Sequence, residues 1–257
     1  MMFGDLRGKV AIVTGAGRLK GIGAATCRAF AAQGSRFFFT TYAPYDALMF
    51  PESLTANESK HLAAELRGMG VPAGCMEADL TQPDCAARIL DTVERVLGMP
   101  SILVNNAAYS ARDGYEKLDA PGLDAHYAVN IRGTALLSVE FARRFSDGAG
   151  GRIINLTSGQ ERDPLAGELA YAATKGAISA FTRSLAKELA CKGITVNAVD
   201  PGPTDTGWMS EQLKSQLIAA NANGRIGLPE DAARLIVFLA SKAAERLSGE
   251  VLHARGI

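Results

Sequence analysis

Residues 9–23, K-V-A-I-V-T-G-A-G-R-L-K-G-I-G, decide the fold. Residues 9–14 are a continuous apolar run of strand length, which fits a strand covered on both faces. Gly15, Gly17, Gly21 and Gly23 follow, with Ile22 between the last two, and then A-A-T-C-R-A-F-A-A-Q-G carries a helical pattern. Strand, glycine-rich turn and helix, in that order, make a phosphate site. Glycines let the backbone approach a pyrophosphate, and the helix N-terminus offers free N–H groups and a partial positive charge. The plain alternative for such a turn taken alone is an ordinary strand-to-helix connection.

The alternation continues outward from this unit. Residues 35–41, S-R-F-F-F-T-T, read as the second strand. A carboxylate at its end would bind the ribose hydroxyls of NAD and repel a 2′-phosphate. Thr41 and Tyr42 stand there instead, with no carboxylate until Asp46. Arg18 and Lys20 in the glycine turn can reach a 2′-phosphate or remain solvated; this favours NADP, with NAD as the alternative. Residues 43–57 read as a long connection, flanking an adenosine or packing on a neighbouring subunit. Residues 58–69 read as a helix and 71–78 as a strand. Asp79, followed by Leu80, lies past that strand's end, where it can accept from an adenine amino group or cap the next helix, 83–97. Residues 101–104 form a short buried strand running into Asn105, Asn106, Ala107 and Ala108, whose small side chains keep the backbone close to a ligand. Residues 119–147 read as one long helix. Asn130 lies inside it, and a buried amide bridging to backbone is the simplest account of it.

Residues 151–157 give the fifth strand and 168–192 the next helix. Residues 193–199 give the sixth strand, followed by D-P-G-P-T-D-T-G-W-M. Pro201 and Gly202 fix a sharp exit, and Thr204 and Thr206 offer hydroxyls. Residues 203–226 read as a substrate lid, or else as helices packed on the body. A helix at 229–240 and a strand at 250–253 close the chain. Seven strands alternating with helices imply a single α/β domain, 1–257, with a doubly wound parallel sheet.

The chemistry concentrates in residues 158–175, S-G-Q-E-R-D-P-L-A-G-E-L-A-Y-A-A-T-K. Tyr171 and Lys175 are one helical turn apart on one face. An ammonium beside a phenol lowers a pKa that starts near ~10. Ser158 ends a buried strand, where it can hydrogen-bond an oxygen held in front of the sheet. Together these groups can hold a carbonyl, protonate its oxygen and leave its carbon open to hydride.

Composition sets the bounds. The chain has 257 residues, 27 basic and 27 acidic, and four scattered cysteines. Balanced charge argues against a nucleic-acid binder, and isolated cysteines against a disulfide framework or zinc site. The N-terminus lacks the apolar core of a signal peptide, and no apolar run approaches the roughly 20 residues of a membrane span. A soluble, cytoplasmic protein is expected.

The ordered set of the glycine turn, Asp79, residues 105–108, Asn130, Ser158, Tyr171-x-x-x-Lys175 and Pro201-Gly202 resembles the short-chain dehydrogenase/reductase family, over nearly the whole chain. Within it, the chain looks most like bacterial 3-oxoacyl-acyl-carrier-protein reductase-like members. The resemblance implies a Rossmann-type domain and a catalytic tetrad of Asn130, Ser158, Tyr171 and Lys175. Tyr171 would be general acid or base, and Lys175 would lower its pKa and hold the nicotinamide ribose. Ser158 would polarise the carbonyl, and Asn130 would hold a water linking Lys175 to solvent. The nicotinamide amide would meet backbone near Pro201-Gly202 and the Thr204 hydroxyl. The implied reaction interconverts a carbonyl and a secondary alcohol, with a free small molecule or a substrate on acyl carrier protein. Docking of such an acidic carrier would need a basic patch, to which Arg143, Arg144 and Lys192 could contribute, although the net charge is zero and the two arginines equally suit the dipole at the end of their helix. A homo-oligomer, a tetramer by the family pattern, is also implied. A silent NADP-binding sensor or scaffold, and an epimerase or dehydratase recycling bound cofactor, are the alternatives. The glycine turn is longer than the family's, with five residues between Gly15 and Gly21, and the chain ends A-R-G-I where relatives carry Asp-Gly-Gly. The Tyr–Lys spacing is not that of enoyl reductases, which argues against double-bond reduction.

Overall fold

Seven strands pair in the order β3-β2-β1-β4-β5-β6-β7 in the computed structural model, which describes residues 3–50, 57–146, 148–221 and 223–254. They are β1 (Val10–Val13), β2 (Arg36–Thr41), β3 (Ala73–Glu77), β4 (Ile102–Asn105), β5 (Gly151–Leu156), β6 (Ile194–Asp200) and β7 (Val251–His253). Every neighbouring pair is parallel. The chain steps outward from β1 to β3, then returns to lay β4 against the other side of β1. That reversal opens a crevice at the carboxyl ends of β1 and β4, where sheets of this topology take ligands.

Burial on both faces explains the unbroken apolar strands. Side chains alternate between faces with a period of two. Phe37 and Phe39 therefore enter the layer beneath α1 (Ile22–Ala32), α3 (Glu58–Gly68) and α9 (Pro229–Ala240). Phe38 enters the opposite layer, with Ile89 and Val93 of α4 (Cys85–Leu97). Each of these fully buried rings contributes on the order of 2–3 kcal/mol. The second layer is completed by α6 (Thr134–Arg144) and α7 (Leu169–Leu189), which bring Phe141 and Leu185 against Ile153 and Val196. Among the described residues no helix is long and apolar enough to cross a membrane.

Two expectations need correction. Residues 43–57 are not one long loop: Ala43–Met49 form a helix, α2, with Pro44 in its first turn, where a missing N–H costs nothing. Residues 51–56 of that stretch lie outside the described residues. The expected helix at 119–147 is broken into three. Ala120–His126 (α5) leads into a π-helical turn, Tyr127–Gly133, and only then into α6. Gly133, at the end of this turn, lets it pack closely on Leu80: a Cβ there would lie 2.9 Å from Leu80 Cβ. A π segment of this kind marks functional sites often enough to direct attention to Asn130 at its centre. Asp147, and residues 255–257 of the C-terminal departure, lie outside the described residues. The helix α8 (Glu211–Ala220) follows β6, and none of its residues is buried.

Candidate active site

The crevice is clamped by one hydroxyl. Thr14, just past β1, accepts from the backbone N–H of Asn106 and of Ala107, both at 3.0 Å. Asn106 returns the contact through its side-chain amide to the carbonyls of Thr14 and Gly15. The glycine turn is thereby pressed on the exit of β4. Gly15 has φ +70°, and a Cβ there would sit 2.6 Å from Ala107 Cα. A Cβ on Gly23 would lie 2.7 Å from Gly15 O. Backbone packs on backbone here, and Gly21, the N-cap of α1, has no side chain to cap its N–H groups. A bare helix N-terminus behind a glycine cradle fits the pyrophosphate of a dinucleotide.

Tyr171 and Lys175 project from α7 toward the end of β5. Thr157 fixes that placement: its hydroxyl donates to Lys175 O at 2.9 Å and meets Ser179 Oγ at 3.1 Å. Lys175 is only 4% exposed, and its ammonium donates to Leu156 O at 2.8 Å. Its Nζ lies 5.5 Å from the centre of the Tyr171 ring. Burial lowers the Lys175 pKa to about 8. Burial, then Glu168, Tyr45 and Asp200, push the Tyr171 phenol above its ordinary value. Tyr171 is half-buried, and its hydroxyl carries the proton at neutral pH. The lowering expected from the Tyr–Lys spacing is not seen here, since the Lys175 ammonium is not among the groups acting on the phenol. Ser158, half-buried after β5, has extended backbone, and its Oγ accepts a long bond from Gln160 N–H at 3.4 Å.

Asn130 is 1% exposed and fully engaged. Its Oδ1 accepts from Tyr109 N–H at 2.7 Å, and its amide donates to Tyr109 O and to Thr174 Oγ1. Thr174 in turn donates to Tyr171 O. Asn130 thus joins the loop after β4 to the Tyr171 turn, through backbone rather than through contact with Lys175. Next to it, Asn105 donates to Asn155 Oδ1 and Ser138 Oγ, and Asn155 to Thr182 Oγ1. These buried amides link β4, β5 and α7.

Other expected site residues are placed differently. Asp79 accepts from Thr81 N–H, Thr81 Oγ1 and Gln82 Nε2, and from Tyr42 OH at 3.4 Å. Against the upward pull of burial, these bonds hold its carboxyl below the usual range. It organises its own turn, while Leu80 packs inward. The Thr204 hydroxyl points to Pro201 O and Gly202 O, at 3.2 and 3.1 Å. Gly202 is held by Asp200, which also meets His253 Nδ1 at 2.8 Å. Arg18 and Lys20 are not gathered at Thr41. Arg18 donates to Thr206 O and stacks 3.4 Å over the centre of Phe50. Lys20 lines a cavity of about 300 Å³ with Asp205 and Glu230. Arg143, Arg144 and Lys192 lie where α6 runs toward β5 and where β6 begins, at the edge of the sheet opposite Tyr171. Arg144 is paired there with Asp91, Glu94 and Glu140, and Lys192 donates to Ala142 O.

Four participants had no sequence signal strong enough to find them. Tyr45 of α2 exchanges hydrogen bonds with the backbone of Ser110 and lies against Tyr109. His126 is buried, with Nδ1–H donating to Gly122 O and Nε2 accepting from Ala111 N–H. Asp113 accepts from Leu169 and Ala170 N–H and so caps α7 two residues before Tyr171. Asp46 was visible only as the first carboxylate after β2.

Comparison with known proteins agrees with this architecture. A family model described as enoyl-(acyl carrier protein) reductase matches residues 15–256. The chain is 51% identical over 250 residues to the uncharacterized oxidoreductase YjdA of Bacillus subtilis, covering 96% of each. It is 35% identical to NADPH-dependent aldehyde reductase 2, chloroplastic, of Arabidopsis thaliana, covering 98% of this chain and 94% of the other. A short chain dehydrogenase from Burkholderia cenocepacia, solved in complex with NADP, superposes with a TM-score of 0.87 at 32% identity, covering 98% of each chain. With the glycine cradle, the Asn130 bridge and the Tyr171–Lys175 turn in one crevice, this protein belongs to the short-chain dehydrogenase/reductase family of oxidoreductases.

Proposed function

We propose that the protein is an NADP(H)-preferring reductase that interconverts a small, free carbonyl compound and its secondary alcohol. The observation that carries this reading is the pinning of Tyr171 and Lys175 to the end of β5 beside Ser158, through Thr157. The dinucleotide would supply the hydride. Gly15, Gly17, Gly21, Ile22 and Gly23 would hold its pyrophosphate, and Asn106, Ala107, Ala108, Pro201 and Gly202 would border it. Tyr171 passes a proton to or from the substrate oxygen, Ser158 orients that oxygen, and Lys175 binds the nicotinamide ribose. Asn130 positions the turn that carries Tyr171. Residues 203–226, with Trp208 anchored on Thr204 O, form the substrate-side lid.

A free substrate is favoured over one on acyl carrier protein, because the basic residues that would receive the carrier lie at the opposite edge of the sheet. The names of the Arabidopsis and Burkholderia relatives support the phosphorylated cofactor and an aldehyde-like substrate. Self-association is part of the proposal: Leu123, Tyr127 and Leu136 expose apolar surface along α5, the π turn and α6. The test is Tyr171→Phe, assayed on a panel of aldehydes and ketones with NADPH. Removing a general acid costs at least ~10²-fold in turnover, and NADPH binding should survive. Full retention of turnover would refute the role of Tyr171. A wild-type enzyme that binds NADPH and reduces nothing would make the protein a sensor instead.

A further inference from the structure

The far end of the sheet holds a second polar cavity. At the amino ends of β4, β5 and β6, away from the crevice, a space of about 670 Å³ is lined by Ser101, Arg152 and Thr195. These residues are neighbours: Arg152 is in register with Thr195 of β6, and its backbone N–H donates to Ser101 O at 2.9 Å. Period two puts Arg152 on the face of Ile154 and Leu156, in the apolar layer beneath α1 and α9. Arg152 is 7% exposed and Ser101 3%. The guanidinium donates from Nη1 to the adjacent Gly151 O at 2.9 Å. Its Nε, Ser101 Oγ and Thr195 Oγ1 are buried and have no partner among the described residues. Three of the five such side-chain atoms among the described residues thus gather at one place.

Buried polar groups are nearly always hydrogen-bonded, and a buried guanidinium without a paired anion is costly. Asp5 and Glu245 also border the cavity, but they act on Arg152 from a distance and offset only part of the lowering that burial imposes on its pKa. Asp5 is engaged elsewhere, accepting from Lys242 N–H at 2.6 Å. Lys9, Lys242 and Arg246 line the same space, so cations outnumber carboxylates there by four to two. We propose that this cavity is a second binding site, for a small doubly charged oxyanion, a phosphate or a dicarboxylate, whose oxygens accept from Arg152, Ser101 and Thr195. A guanidinium flanked by hydroxyls is a donor set suited to carboxylate and phosphate oxygens. The anion supplies the charge that Arg152 lacks, and the three cations around it raise its local concentration. The inference is independent of the dinucleotide reading, since the two sites lie at opposite ends of the strands.

The experiment is calorimetric titration of the full-length protein with inorganic phosphate and, separately, with succinate, at constant ionic strength, with and without saturating NADPH. Wild type, Arg152→Met and Thr195→Val are compared, each checked for a native thermal melt. Wild type should bind at least one of the two anions, equally well with NADPH present. Arg152→Met should lose that binding, and Thr195→Val should weaken it about tenfold. If Arg152→Met fails to fold, Ser101→Ala combined with Thr195→Val carries the expectation of lost binding. Binding of phosphate alone identifies a phosphoryl ligand and binding of succinate alone a carboxylate; either supports the inference. Binding of neither anion by wild type overturns it, as does binding that Arg152→Met leaves unchanged. Binding that NADPH abolishes places the anion in the glycine cradle and overturns it as well.

Discussion

Replacing Lys175 by methionine should stabilise the protein at neutral pH and abolish a pH dependence. Lys175 has no carboxylate among the causes acting on its pKa; burial alone lowers it to about 8. In the unfolded chain the same group titrates near ~10.4. Below pH 8 both states carry the proton, and the native state bears the full cost of a buried ammonium. Between about 8 and ~10.4 the native group is neutral and the unfolded one charged, so unfolding takes up a proton and stability rises with pH. The difference corresponds to about 3 kcal/mol. Wild type should therefore be less stable than Lys175→Met at pH 7.5, by up to that amount, and the gap should shrink by about 3 kcal/mol by pH 10.5. Urea unfolding of both proteins at pH 7.5, 8.5, 9.5 and 10.5 measures it. The comparison cancels Tyr171, Cys27 and Cys85, whose burial-raised pKa values act in the opposite direction as pH rises. A gap independent of pH, or one that widens, would refute the claim that Lys175 is buried without a compensating charge. The variant should lose turnover at every pH, since a buried ammonium that costs stability is retained for chemistry.

Two further substitutions probe the frame around the site. Gly15→Ala places a Cβ 2.6 Å from Ala107 Cα at φ +70°, so it should cost about 1–3 kcal/mol in urea unfolding and weaken NADPH binding in a fluorescence titration. Asp113→Ala removes the acceptor for Leu169 and Ala170 N–H; it should cost about 1 kcal/mol and lower kcat more than it raises KM, because the turn it caps carries Tyr171.

The strands were legible because they are apolar on both sides: F-F-F in β2 and I-I-N-L in β5 admit few other readings. The helix Pro229–Ala240 was legible from its proline start and its apolar stripe. The break in residues 119–147 was not, since the residues around Asn130 read as continuous helix. Its cause is tertiary: the Asn130 amide must meet Tyr109 and Thr174, and an extra residue per turn places it there. The pairing of Tyr171 and Lys175 on one face of α7 was legible from spacing, but their surroundings were not. A four-residue interval puts a lysine beside a tyrosine, whereas the depth of both groups depends on α7 lying against β6. The direction of Arg18 was hidden for a similar reason: its partners Thr206 and Phe50 are distant in sequence or unmarked by motif.

Three threonines explain how a site drawn from four segments holds its geometry. Thr14 rivets the glycine turn to the exit of β4. Thr157 rivets the end of β5 to α7 at Lys175. Thr174 rivets α7 at Tyr171 to Asn130, and through Asn130 to the loop after β4. The result is an unbroken chain from β1 to β4, from β4 to α7, and from α7 to β5, in which every link is a hydroxyl or amide bonded to backbone or to another such group. Backbone partners matter because they cannot rotate away, so each rivet fixes the position of an element rather than of one side chain. Tyr171, Lys175 and Ser158 then need no direct bonds to one another to be held in register. Under the proposed function, the groups that would change protonation are then separate from the groups that hold the frame.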